Sequence, residues 1–132
     1  MTRTIFVGKP TPKERDLYNA VLFAKRAGEK SAKAGSKCAA ADAAARRALG
    51  SYKKYFIHTL GHGVGRRIHE LPRIYFKREE DKFLENMVVT IEPGIYIPKK
   101  LGIRIEDTFV VEKKGVRALT KSSQRLVCVQ VI

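Results

Sequence analysis

Acidic residues are scarce in this chain. Its 132 residues carry 13 Asp+Glu against 27 Lys+Arg, a formal charge of +14. Such an excess is one signature of a nucleic-acid or ribosome surface. The plainer reading is a lysine-rich solvated surface, because the cations are scattered and form no basic tail. Cysteine is almost absent. Cys38 and Cys128 make no CxxC motif and no disulfide framework, and both read as small buried hydrophobes. No apolar run approaches the ~20 residues that span a bilayer. The start, Met1-Thr2-Arg3-Thr4, lacks the apolar stretch of a signal peptide. With no membrane partner implied, cytoplasmic placement is the expectation. No internal repeat or low-complexity linker divides the chain, so one domain over residues 1–132 is expected.

The segments that remain give an α+β order. Thr2 to Val7 alternates like a strand and stops at Gly8-Lys9-Pro10. Thr11-Pro12-Lys13-Glu14 is a capping box with proline in the first turn. It predicts a helix to about Lys33, with Leu17, Val21, Ala24 and Ala27–Gly28 on one face. Gly35 ends it. Ser36 is the expected cap of a second helix over Ala39–Leu49, stopped by Gly50. Strands are expected at Tyr55–His58, at Val88–Glu92 and Ile103–Glu112, at Val116–Leu119 and at Arg125–Ile132. Lys113-Lys114-Gly115 reads as a turn, and the charged stretch before Asn86 shows no clear pattern.

Two groups of residues carry chemistry. If Val88–Glu92 and Ile103–Glu106 form an antiparallel hairpin centred on Lys99, Glu92 and Glu106 lie opposite each other. Their Cβ atoms would be roughly 4.5–5.5 Å apart. Like charges so placed destabilise a sheet, so a cation is expected between them, and a divalent metal suits two carboxylates. The only three histidines, His58, His62 and His69, fall within twelve residues. His62 stands between glycines, which leave room for a ligand. One imidazole and two carboxylates would form an open, catalytic type of metal site, with His58 and His69 moving protons or orienting substrate. The plain alternative makes His58 a strand residue and His69 a surface loop residue. Gly61-His62-Gly63-Val64-Gly65 lacks the Lys-Ser/Thr of a phosphate loop, and Ser122-Ser123 has no arguable histidine and acid partners.

The runs Phe56-Ile57-His58-Thr59-Leu60-Gly61-His62-Gly63-Val64-Gly65, His69-Glu70-Leu71-Pro72, Met87 to Tyr96 and Gly102 to Asp107 resemble the pita-bread-fold metallopeptidases. So do Thr2-Arg3-Thr4, Val7-Gly8 and the helix segment Asp42 to Arg46. Within that group the resemblance is particularly to prolidases (Xaa-Pro dipeptidases) and Xaa-Pro aminopeptidases. It implies a mainly antiparallel curved sheet with two helices packed on it, of which this chain would be the C-terminal half. His62 and Glu92 would bind one metal and Glu106 would bridge two. His58 and His69 would contact a proline-containing peptide, and Arg104 would support the metal cluster from behind. Manganese, cobalt or zinc would be the ion.

The family pattern also needs two aspartates on an earlier hairpin, and this sequence does not supply them. The expectation is therefore at most one weakly held ion per chain and very low peptidase activity from it alone. The strand at Thr2–Val7 should then have an unpaired edge, which a homodimer or a partner chain could cover. Arg66 and Arg67 also depart from the pattern. They would repel a metal, bind an anion, or simply lie exposed. A non-catalytic peptide-, nucleic-acid- or ribosome-binding module is the competing function, and a start codon misplaced within a longer enzyme is a third reading.

Overall fold

The computed structural model describes residues 1–130. Helix α1 spans Pro12–Ser31. Its Thr11 hydroxyl accepts the Glu14 N–H, while the Glu14 carboxylate accepts from the Thr11 N–H at 2.7 Å. The capping box therefore forms as expected. Leu17, Tyr18, Val21, Ala24, Lys25 and Gly28 are its buried face. Gly28 lets the helix approach the sheet closely, because a Cβ there would stand 2.9 Å from Leu60 Cδ2 and 3.4 Å from Ile91 Cγ2. Helix α2 is Cys38–Ala48, with Lys37 at its N-cap and no side-chain cap. Ser36 is not the cap. Its hydroxyl donates to the Lys33 carbonyl at 2.8 Å, with the Ser31 carbonyl as the longer alternative at 3.1 Å, and accepts from the Lys33 N–H, closing the end of α1 instead. Gly35, at φ +84°, makes the intervening turn.

The strands are β1 (Ile5–Val7), β2 (Gly61–Gly63), β3 (Glu70–Ile74), β4 (Val88–Ile91), β5 (Gly94–Ile97), β6 (Leu101–Arg104), β7 (Asp107–Glu112), β8 (Gly115–Ala118) and β9 (Val127–Val129). The main sheet has the order β3-β2-β4-β7-β8 and is antiparallel throughout. The β5–β6 hairpin and the parallel β1–β9 pair complete the framework. Val131 and Ile132, the end of the expected last strand, lie outside the described residues.

Val88–Ile91 pairs with Asp107–Val110, and Gly94–Ile97 pairs with Leu101–Arg104. Both ladders have the register predicted for a hairpin centred on Lys99. They are two halves of one long hairpin, interrupted at Pro93. Proline has no N–H to give the ladder, and only the Ile105 N–H to Pro93 carbonyl bond, at 3.4 Å, remains there. Glu92 and Glu106 flank this interruption. The core beneath it gathers Val89, Ile91, Ile95, Ile103 and Ile105 with Leu60 and the buried face of α1.

Three further expectations about the fold need correction. Tyr55–His58 is no strand: residues 50–55 form a 3₁₀ turn and the first strand after it is Gly61–Gly63. Arg46 takes the Phe56 and His58 carbonyls at 2.8 and 2.7 Å, removing acceptors that a ladder would need. The charged stretch before Asn86 contains strand β3. Cys128 is exposed on β9, whereas Cys38 is buried, and burial followed by the nearby Asp81 charge pushes its thiol up to about 12. The Thr2–Val7 segment is partnered along one edge, within a two-stranded ribbon whose other edge has no strand beside it among the described residues. β9 pairs with Ile5–Val7, and Thr2 bridges to Glu106.

Candidate metal centre and substrate cleft

His62 is fixed from three sides. Its backbone N–H donates to the Thr90 hydroxyl at 3.1 Å, its ring stacks edge-on against His69 with centroids 4.5 Å apart, and its Nδ1 lies 2.9 Å from the Gly63 carbonyl. A carbonyl can only accept, so Nδ1 carries a proton, and in the neutral ring Nε2 offers its lone pair. That lone pair faces Glu92 Oε1 at 3.2 Å. The Thr90 hydroxyl donates to the same Glu92 oxygen at 3.0 Å. Two acceptors so close repel unless a proton or a cation lies between them. Two donor atoms on one metal ion, each about 2.0–2.2 Å from it, are themselves about 3 Å apart. The backbone-bonded ring nitrogen is also the usual second contact of a metal-binding histidine.

The glycines beside His62 leave no room for a ligand, contrary to the expectation. A Cβ on Gly61 would meet the Thr90 carbonyl oxygen at 1.9 Å, and one on Gly63 the Leu71 carbonyl oxygen at 2.1 Å. They let β2 fit between β4 and β3. The register between β2 and β3 shifts between His62 and Gly63, and bulges of this kind redirect side chains beside functional sites.

Glu106 goes elsewhere. Its carboxylate accepts from the Thr2 hydroxyl and lies 3.5 Å from the amino terminus. Arg104 Nε donates to the same threonine oxygen at 3.2 Å. Among the described residues, no three His, Cys, Asp or Glu side chains converge tightly enough to hold an ion. Of the three expected donors, the structure brings His62 and Glu92 together and sets Glu106 apart from them.

His58 is held in the complementary way. Its Nδ1 lies 2.8 Å from the Thr59 carbonyl, so Nε2 accepts from the Tyr96 hydroxyl at 2.9 Å. Burial raises the Tyr96 phenol above its ordinary value. Arg104 opposes that rise, and the Glu92 and Glu106 charges add to it. Tyr96 thus stands among His58, Arg104 and the two glutamates as a protonated donor. Arg46 supports His58 from behind, bonding its carbonyl while pairing with buried Asp42 at 2.8 Å.

A cleft of about 1030 Å³ is lined by His58, His62, His69, Glu92 and Arg104 together with Arg67, Glu70 and Arg73. Of the proposed site residues, only Glu106 is outside this lining. Of the two arginines after Gly65, Arg67 lines the cleft and Arg66 does not. Thr90, Tyr96 and Thr2 escaped the sequence reading. Thr90 had a signal, since it precedes Glu92 by two residues and so shares its strand face. Tyr96 and Thr2 had none, because their roles depend on contacts across the Pro93 interruption and across the chain.

The chain belongs to metallopeptidase family M24, whose model matches residues 1–113. It is 48% identical over 128 residues to the Xaa-Pro dipeptidase of Pyrococcus furiosus, covering 96% of this chain and 36% of that protein. The X-Pro aminopeptidase of Thermotoga maritima superposes with a TM-score of 0.91 at 37% identity, over 96% of this chain and 36% of that one. Dipeptidase PepE of Mycobacterium ulcerans superposes with a TM-score of 0.93 at 37% identity, over 98% of this chain and 35% of the other. The chain thus spans about a third of the length of the relatives it matches. Their shared architecture is the α+β pita-bread fold. No helix among the described residues is long and apolar enough to cross a membrane.

Proposed function

We propose that these residues form the histidine and glutamate side of a centre that hydrolyses peptide bonds next to proline, and that alone they hold at most one divalent ion and turn over very slowly. The observation that carries this reading is His62 Nε2 set 3.2 Å from Glu92 Oε1, with both groups anchored from behind. A bound divalent ion, whether manganese, cobalt or zinc, would acidify water and polarise the scissile carbonyl. His62 and Glu92 would hold it, and Glu106 would join them by leaving Thr2. His58 and Tyr96 share a proton at Nε2 and can pass one to the departing amine. His69, on the exposed wall of the cleft, contacts the peptide. Arg104 keeps Thr2 and Tyr96 in place around the glutamates. A second ion needs carboxylates beyond those in the cleft.

Those carboxylates would come from a segment outside the residues described, and one exposed surface is suited to meet it. Ile5, Val7, Val127 and Val129 are all exposed on the β1–β9 pair. Parallel strands are normally covered on both faces, which supports that ribbon as the contact.

The test is metal content per chain after equilibration with manganese or cobalt, compared with the His62→Ala and Glu106→Ala variants. One loosely held ion, lost in His62→Ala, is expected, with hydrolysis of an Xaa-Pro dipeptide near background. Two ions per chain, or none at millimolar metal, would overturn the proposal.

A further inference from the structure

A second concave surface lies beside the cleft, where α2, the 3₁₀ turn and the Tyr75-Phe76 segment meet. Two adjoining hollows of about 590 and 480 Å³ share Arg46, Lys53 and Phe76. Arg47 closes one end of the groove and Lys54 and Ile57 the other, and no carboxylate lines either hollow. Arg46 is already engaged by Asp42 and by two backbone carbonyls. Arg47, Lys53 and Lys54 are different. Among the described residues, none of the three forms an ion pair with a carboxylate.

Apolar groups alternate with these cations. Ile57 is 76% exposed and Phe76 is 40% exposed. The Phe76 ring is nonetheless held in place, with Tyr75 edge-on at 4.8 Å, and with the Arg46 guanidinium 4.9 Å and the Lys77 ammonium 5.8 Å from its centroid. A fixed, partly exposed aromatic ring set among cations can stack a base once the flexible Lys77 side chain swings off it, while phosphates bind on either side.

We propose that this groove binds a segment of single-stranded nucleic acid, with phosphates on Arg47, Lys53 and Lys54 and a base against Phe76. An acidic peptide would satisfy the cations but leave Phe76 and Ile57 in water, whereas a nucleotide uses both kinds of group. The formal charge of +14 adds long-range attraction for any polyanion, and the groove concentrates it beside an aromatic. The groove adjoins the His–Glu cleft and shares His58 and Thr59 with it, but none of the three cations lines that cleft.

The experiment is fluorescence anisotropy of a labelled oligouridylate of about twelve nucleotides, titrated with the folded chain at several salt concentrations. The logarithm of the affinity should fall against the logarithm of salt with a slope near about −2, for three phosphates contacted on a single strand. Replacing both Lys53 and Lys54 by Gln, at exposed positions, should flatten the slope by about 1.4. Phe76→Ala should weaken binding about tenfold with the slope unchanged. Lys121→Gln with Arg125→Gln, outside the groove, should leave both quantities as they were. Absence of binding at low salt, an equal loss in the outside pair, or competition by an oligoglutamate as strong as by unlabelled oligouridylate would each overturn the proposal.

Discussion

Thr90 couples the two donors of the candidate centre. One hydroxyl accepts from the His62 backbone and donates to the Glu92 carboxylate, so it fixes the spacing between a lone pair and an anion that otherwise repel. Thr90→Val keeps the shape and removes this link. The side chain is nearly fully buried, so the His62 N–H is left without its partner, at a cost of about 1–3 kcal/mol. Manganese or cobalt affinity should drop by about 10–100-fold, the usual effect of removing a supporting contact behind a metal ligand. Urea unfolding and metal titration on the same variant separate the two effects. If affinity stays at the wild-type value, Thr90 supports the sheet alone.

At the scale of elements, the long hairpin determines where the glutamates stand. Its turn is tight. Lys100 N–H bonds the Ile97 carbonyl at 3.1 Å, Pro98 precedes, and Lys99 sits at φ 58°. That is the pattern of a type II turn, whose third position favours glycine. A left-handed conformation costs a non-glycine residue roughly 1–2 kcal/mol. Lys99→Gly should therefore stabilise the fold by about 0.5–1 kcal/mol after glycine's extra unfolded-state entropy is subtracted, seen as a higher urea midpoint with an unchanged slope. The same scale explains the misread strand at Tyr55–His58. Its aromatic and β-branched residues suit a sheet, but Arg46 on α2 takes two of its carbonyls. That exchange depends on helix placement and leaves no trace in the local sequence.

For the whole molecule, the buried ion pair Lys25–Asp107 joins α1 to β7 immediately after Glu106. Lys25 Nζ lies 2.8 Å from Asp107 Oδ2 and also pairs with Glu29, while Arg3 Nη2 reaches Asp107 Oδ1 at 2.6 Å. Burial alone would raise the Asp107 carboxyl. Hydrogen bonds from Lys25, Thr120 and Arg3 outweigh it and hold the group below its usual value. Its folded value is below its unfolded one, so its contribution is full above the ordinary carboxylate range and is lost as pH falls through the lowered folded value. Lys25→Met removes one partner and leaves a buried carboxylate short of charge, costing about 3 kcal/mol at neutral pH. The cost should shrink as the medium is acidified and Asp107 is protonated. Denaturation curves at neutral and acid pH check this, and a loss independent of pH would show that packing, not charge, is what Lys25 supplies.

By itself the sequence determined what is local or periodic. The Thr11–Glu14 cap, the apolar face of α1, the Lys99-centred register and the clustering of His58, His62 and His69 all follow from neighbouring residues or from a simple strand period. It also carried enough of the family's motifs to place the chain among M24 metallopeptidases. Tertiary structure decided the rest. It showed that the glycines around His62 serve strand packing, that Ser36 closes α1, and that Cys128 faces out on a parallel strand pair. It turned Glu106 toward Thr2 while leaving His62 facing Glu92. Each of these depends on which distant backbone carbonyl, hydroxyl or cation reaches a given atom first. That competition is settled by packing in three dimensions and has no counterpart in the order of residues along the chain.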